Sequence, residues 1–182
     1  MMKKTALVLL SVAFALPAFS QSIFLRGGTD YEIDPSQFSS VRAELGFAYA
    51  ISTKFELALY TGYIAYHFDA SPIYVTIPSH TFHYIPVMAS IHYAFSDVGS
   101  GPYLSLDFGN IFDVTSAKDR KVLGSNQFMY DRDRQHNRVL KLGGGMRFPV
   151  TNNMAIDVSA KITHPQNSVE TIELMAGMRL GL

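Results

Sequence analysis

Three constellations in this chain contain residue types that could do chemistry. His164, Ser168 and Glu170 bring a base, a hydroxyl and an acid together in one short segment, which would suit acyl transfer if a fold set them in hydrogen-bonding order. Their segment is polar, and Ser, His and Glu are ordinary residues of solvated loops. His80 and His83 stand three apart, with His67 and Asp69 across the same hairpin. Residues three apart on a strand point to opposite faces, so this pair is a poor ligand set, and the four are read as exposed polar residues. The third constellation is the largest: Arg26, Arg42, Lys141, Arg147, Lys161 and Arg179 against Glu44, Asp107, Asp157 and Glu173, six positive and four negative, all on the polar faces of alternating segments. Its chemistry is ion pairing inside a narrow interior. No catalytic, cofactor-binding or metal-ligating residues are assigned.

Eight strands would have to position these charges. Alternation recurs in nearly every segment, and no amphipathic helix follows the first twenty residues. The spacing predicts strands over Ser22 to Tyr31, Val41 to Ile51, Phe55 to Phe68, Tyr84 to Phe95, Tyr103 to Phe112, Val139 to Phe148, Met154 to Thr163 and Glu170 to Leu182. The pattern of the first is weakened by Gly27-Gly28, and the phase of the third blurs after Gly62, where a bulge would fit. Pro86 removes one ladder donor from the fourth. Short connections (Ser52 to Lys54, Ser96 to Gly101, Pro149 to Asn153) alternate with longer polar ones (Glu32 to Ser40, Asp69 to His83, Asp113 to Arg138, His164 to Val169). Tight turns therefore gather at one rim and long loops at the other, and an even strand count returns both termini to the tight-turn rim.

The N-terminus reads Met-Met-Lys-Lys, an apolar run, then Pro17-Ala18-Phe19-Ser20, with small residues at both −3 and −1 of a cut after Ser20. This is the pattern of a secretory signal peptide over residues 1–20, leaving a single domain over 21–182. No later segment reaches the ~18 consecutive apolar residues of a membrane helix. The chain has no Cys, which excludes disulfides, thiolate chemistry and Cys-based lipidation. Its 15 basic and 15 acidic residues cancel, which argues against nucleic acid as a partner. Being 48% hydrophobic and only 16% charged, it suits a barrel whose outside meets lipid.

A soluble barrel also alternates, but with its apolar face inward. Here the polar face is crowded with Gly28, Gly46, Ala48, Ala50, Ala58, Gly62, Gly109, Gly143, Gly145 and Gly177, small residues that suit a narrow interior and make poor solvent-facing strand surface. Arg or Lys facing lipid at mid-membrane costs roughly 2–4 kcal/mol, so the ten charges must be lumenal. Phe47, Tyr49, Phe55, Tyr93, Phe95, Tyr103, Phe108 and Phe148 lie near strand ends, as interfacial aromatic girdles do. The fold class is all-β: an eight-stranded antiparallel up-and-down transmembrane β-barrel.

In Tyr84-Ile85-Pro86-Val87, in Gly143-Gly144-Gly145-Met146-Arg147-Phe148 and in Gly177-Met178-Arg179-Leu180, the mature chain resembles the small outer-membrane β-barrel superfamily. That group is represented by outer-membrane proteins X and A and by the porin-family barrel domains of Bacteroidetes-like bacteria. The resemblance implies a Gram-negative outer membrane, contact with its lipid and lipopolysaccharide, recognition by the barrel-assembly machinery, and a monomer. The chain departs from it in ending on Leu182, where such chains usually end on an aromatic residue.

A barrel of about eight strands has room for side chains rather than an aqueous channel, so the expected role is non-enzymatic, with outer loops for surface contact or envelope integrity. The alternative is a narrow channel for small or hydrophobic molecules, lined by Tyr60, Tyr66, Met88 and His92. A remote alternative is a lipid A-modifying enzyme using His164, Ser168 and Glu170, whose spacing departs from the tight His-x-Ser pattern of such deacylases. The loop Asp113 to Arg138, with Lys118-Asp119-Arg120-Lys121 and Asp131-Arg132-Asp133-Arg134, is read as solvated.

Overall fold

A computed structural model describes residues 21–32, 38–68, 80–115, 137–165 and 171–182. Residues 1–20, where a signal peptide is expected, Ser168 and Glu170, Asp69, and most of the loop Asp113 to Arg138 lie outside the described residues. Eight strands follow in chain order: β1 (Gln21–Glu32), β2 (Phe38–Ala50), β3 (Phe55–Phe68), β4 (His80–Ala94), β5 (Gly101–Asp113), β6 (Asn137–Thr151), β7 (Met154–Pro165) and β8 (Thr171–Gly181). Each pairs antiparallel with the next, and β1 pairs with β8, closing the sheet into a barrel. The terminal strand that alternates from Thr171 is thus the closing strand, and the amide of Leu182 donates to the carbonyl of Gln21 at 2.8 Å.

The register fixes the barrel's size. Starting at Ser22 and stepping through cross-strand partners, the path runs Ala48, Ala58, Ser90, Asp107, Lys141, Thr163, Thr171 and back to β1 at Glu32, ten residues beyond its origin. A ten-residue stagger over eight strands tilts them by about 40° and sets a backbone radius of about 8 Å, which side chains fill. A twelve-residue strand at that tilt rises about 30 Å, the thickness of a bilayer's hydrocarbon core.

Burial runs opposite to that of a water-soluble protein. Lys141 is 0% exposed and its neighbour Leu142 is 63% exposed; Glu44 is 1% and Leu45 54%. Ile23, Leu59, Leu104, Ile156, Ile162 and Leu180 share the outward face with Leu142. A belt this wide, apolar and unbroken demands an apolar solvent. Toward the tight-turn rim it gives way to a run of aromatics in contact: Phe55 lies 5.1 Å from Tyr93 in a tilted pair, and Tyr93 5.5 Å from Phe95 edge to face, ring centre to ring centre. Tyr103 corrects the girdle expected from sequence. It is in phase with Ser105 and Asp107, 2% exposed, and its hydroxyl donates to Asp157 Oδ1 at 2.7 Å.

Several strands outrun their sequence pattern. β2 begins at Phe38, β4 at His80, and β6 runs to Thr151, because backbone pairing continues past the lipid belt where side chains need no longer alternate in polarity. Gly27-Gly28 do not interrupt β1, which pairs with β8 over its whole lumen-to-rim length. The bulge that would fit after Gly62 is also absent: Thr61 opposes Val87 and Ile64 opposes Tyr84 in one continuous register. The phase had blurred because Ile64, an apolar residue, faces inward and is fully buried. Beside Pro86, Thr61 Oγ1 donates to the proline carbonyl at 2.8 Å. An irregularity does occur between Pro149 and Thr151 of β6.

Lumenal glycines lie beside long lumenal side chains. Gly177 is the register partner of Arg26 and Gly143 that of Lys161. A methyl group at either would run into the partner strand's backbone and the stem of its long side chain. Gly177→Ala is therefore expected to cost about 1–3 kcal/mol by overpacking, read as a lowered urea midpoint for unfolding in lipid vesicles.

Candidate functional site

The ten charged residues singled out from sequence all lie inside the barrel, each at 6% exposure or less. The geometry divides them into three groups along the axis. In the loop-side half, Arg42 Nη1 reaches Asp30 Oδ1 at 2.6 Å and Glu173 Oε2 at 2.5 Å, while its Nη2 reaches Glu44 Oε1 at 3.0 Å. Arg26 joins Glu44 at 3.0 Å and Lys141 joins Glu173 at 2.6 Å. At mid-height, Lys161 Nζ pairs with Asp107 Oδ2 at 2.5 Å, and Tyr60 donates to the same oxygen at 2.7 Å. Toward the tight turns, Glu56 holds Arg179 through both guanidinium nitrogens and Arg147 at 2.8 Å, and Arg147 Nε reaches Asp157 at 3.2 Å.

Two acids complete this set that sequence reasoning had left out, Asp30 on β1 and Glu56 on β3. With them, six cations face six anions, and each group closes on itself: three against three, one against one, two against two. Both acids were legible in the alternation, Asp30 two residues beyond Gly28 and Glu56 opposite in face to Phe55. Closing the charge balance matters because an unpaired ion in a low-dielectric interior costs several kcal/mol. The ring of Tyr60 lies among three of the cations, Arg26, Lys161 and Lys141, at 5.4, 5.6 and 5.7 Å.

Of the residues proposed to line a path, Tyr60 and Met88 pack into a buried cluster with Phe24, Ala48, Ala58 and Val139. Tyr66 donates to Asp30 at 2.9 Å. The tight-turn mouth is corked by Val98 of the β4–β5 turn, packed on Ala50 and Ala94, with its carbonyl accepting from Arg147 Nη1.

His92 occupies an arrangement that the sequence did not announce. Its Nε2 lies 2.8 Å from Ser90 Oγ and its Nδ1 2.7 Å from Glu56 Oε1, the order of hydroxyl, imidazole and carboxylate used in nucleophilic catalysis. Ser90 and His92 share a face of β4 two residues apart, and Glu56 is the register partner of His92. Yet Ser90 Oγ also donates to Asp107 Oδ1, and Ser90 is 1% exposed. A hydroxyl whose only proton goes to a carboxylate, walled in by side chains, is not poised to attack a carbonyl.

Of the other constellations, Ser168, Glu170 and Asp69 lie outside the described residues. His164 is exposed near the loop rim. His67 Nδ1 lies 2.9 Å from Thr81 Oγ1, and His83 stacks on Tyr63 with its Nδ1 at the tyrosine hydroxyl. Among the described residues, no three His, Cys, Asp or Glu side chains are grouped as metal ligands.

No protein-family model and no curated protein sequence matches the chain. Solved structures do. Neisserial surface protein A superposes with a TM-score of 0.56 at 19% identity, covering 89% of this chain and 96% of that one. The outer membrane protein OprG from Pseudomonas aeruginosa gives 0.55 at 12%, covering 90% and 97%. The Yersinia pestis outer membrane protein Ail, in a phospholipid bilayer nanodisc, gives 0.51 at 16%, covering 90% and 100%. The likeness is one of fold: the closed eight-stranded barrel of small outer-membrane proteins.

Proposed function

We propose that this chain is an integral outer-membrane protein of a Gram-negative bacterium, exported by its first twenty residues. It is a non-enzymatic, monomeric barrel whose lumen is a side-chain plug and whose loop-bearing rim serves surface contact or envelope integrity. The observation that carries this reading is the inverted burial of neighbours such as Lys141 and Leu142. An aliphatic belt about as tall as a hydrocarbon core supports contact with outer-membrane lipid and lipopolysaccharide. The ten sequence-named charges, with Asp30 and Glu56, act as the plug, and the barrel-assembly machinery reads the closing strand β8.

A second reading, a narrow channel for small or hydrophobic molecules, draws on the apolar residues Ile64, Phe82, Met88 and Val139, all buried in β3, β4 and β6. Two measurements test the proposal. Outer-membrane fractionation with a heat-modifiability gel is expected to place the protein in the outer membrane, with a mobility shift on boiling. In planar bilayers the purified barrel is expected to give no unitary conductance steps; regular steps would favour the channel.

A further inference from the structure

We propose that Asn110, Arg138 and His164 form a site for the phosphate group of a lipid in the loop-side leaflet, on the outer wall of β5, β6 and β7. The site rests on the outer-membrane reading above and gives its lipid contact a place. Val139 is 2% exposed and points into the lumen, so its neighbour Arg138 points out, and Arg138 is exposed. Among the described residues it is the one formally charged side chain on the outward faces of the strands. None of the ion pairs among those residues involves it. An outward cation at the edge of an apolar belt is stabilised by an anion from its surroundings.

The register brings two polar groups beside it. Asn110 on β5 is the cross-strand partner of Arg138, and His164 on β7 is the partner of Leu140, two positions along β6 on the same face. With the stagger that closes the barrel, these three residues differ in height by only about 3 Å. Three adjacent strands thus offer a carboxamide, a guanidinium and an imidazole in one row. Arg138 stands four residues to the loop side of Leu142, a rise of about 10 Å at the strand tilt, against a half-thickness of about 15 Å for the hydrocarbon core. From there a long side chain reaches the headgroups while its stem stays on apolar surface. The row next to it on the mid-membrane side is Phe108, Leu140 and Ile162, all outward and about half exposed, which seats an acyl chain.

The opposite edge of the belt offers no counterpart. Toward the tight turns the same three strands present Leu104, Phe148 and Ile156 to the outside. The polar row therefore belongs to one leaflet. Phosphate is the anion that membrane lipids carry next to their acyl chains, and a planar guanidinium matches two of its oxygens at once. The flanking carboxamide and imidazole can each donate a further N–H to the same group. A free phosphate would meet only this polar row, whereas a phosphate attached to acyl chains also covers Phe108, Leu140 and Ile162.

The test uses the full mature barrel refolded in detergent micelles, with bound lipid counted by native mass spectrometry. Dioleoyl phosphatidic acid, dioleoylglycerol and inorganic phosphate are the probes, and a heat-shifted gel mobility certifies that each variant is folded. The parent is expected to hold phosphatidic acid about tenfold more tightly than dioleoylglycerol, and an excess of inorganic phosphate is expected not to displace it. Arg138→Gln is expected to lose about tenfold in affinity for phosphatidic acid, and Asn110→Ala and His164→Ala about threefold each, with dioleoylglycerol binding unchanged. The site is overturned if Arg138→Gln binds phosphatidic acid as the parent does, or if either neutral substitution has no effect. It is also overturned if inorganic phosphate displaces the lipid. A chain that fractionates outside the outer membrane would instead refute the reading beneath it, whatever its lipid affinities.

Discussion

Replacing Glu173 by leucine is expected to destabilise the barrel by about 3–5 kcal/mol, the usual cost of stranding buried partners of an ion pair. Its Oε2 is held by Arg42 at 2.5 Å and by Lys141 at 2.6 Å, and both cations are buried. Without it, three cations in the loop-side group would face only Asp30 and Glu44. The measurement is the urea midpoint for unfolding from lipid vesicles, followed by gel mobility. Adding Lys141→Leu restores a balance of two against two, and that double variant is expected to recover most of the loss. A single variant as stable as the parent would mean that the lumenal pairs do not hold the barrel.

The opposite rule applies one face away. Leu142→Arg is expected to cost roughly 2–4 kcal/mol in a bilayer, because the outward face at mid-strand meets lipid, whereas Val150→Arg, at the rim of the same strand, should cost about 0–1 kcal/mol. Leu142 is 63% exposed and Val150 51%, so exposure alone would rank both as harmless. In a barrel surrounded by water, neither arginine would matter. A depth-dependent penalty on β6 therefore tests the membrane-facing belt, and equal, negligible costs would refute it.

Much of the fold was legible because a period of two labels every residue with a face, and an inverted polarity says which face is inside. Lys141, Arg147, Lys161 and Arg179 could be placed in the lumen from that rule alone. Residue type misled where it was allowed to override phase. Tyr103 was grouped with interfacial aromatics although it alternates with Ser105 and Asp107, and Ile64 looked like a break in β3 although it keeps the inward phase. What sequence could not supply was register. Ser90 and His92 are visibly two apart, but only the β3–β4 pairing brings Glu56 opposite His92, thirty-six positions away. The grouping of the charges into three neutral sets has the same origin, since Arg42 and Glu173 meet only because the barrel closes. Strand ends were hard to read because backbone pairing outlasts the side-chain pattern.

Those neutral sets also have an electrical consequence. A membrane potential does work only on net charge that is displaced across the field, about 2.3 kcal/mol per elementary charge per 100 mV. Among the described residues, twelve acidic and basic side chains pair in this lumen, and each set holds as many of one sign as of the other within its own stretch of the axis. A set that shifted as a unit would carry no gating charge, so voltage has almost no purchase on the interior as long as His92 stays neutral. The plug is densely ionic and nearly invisible to the field.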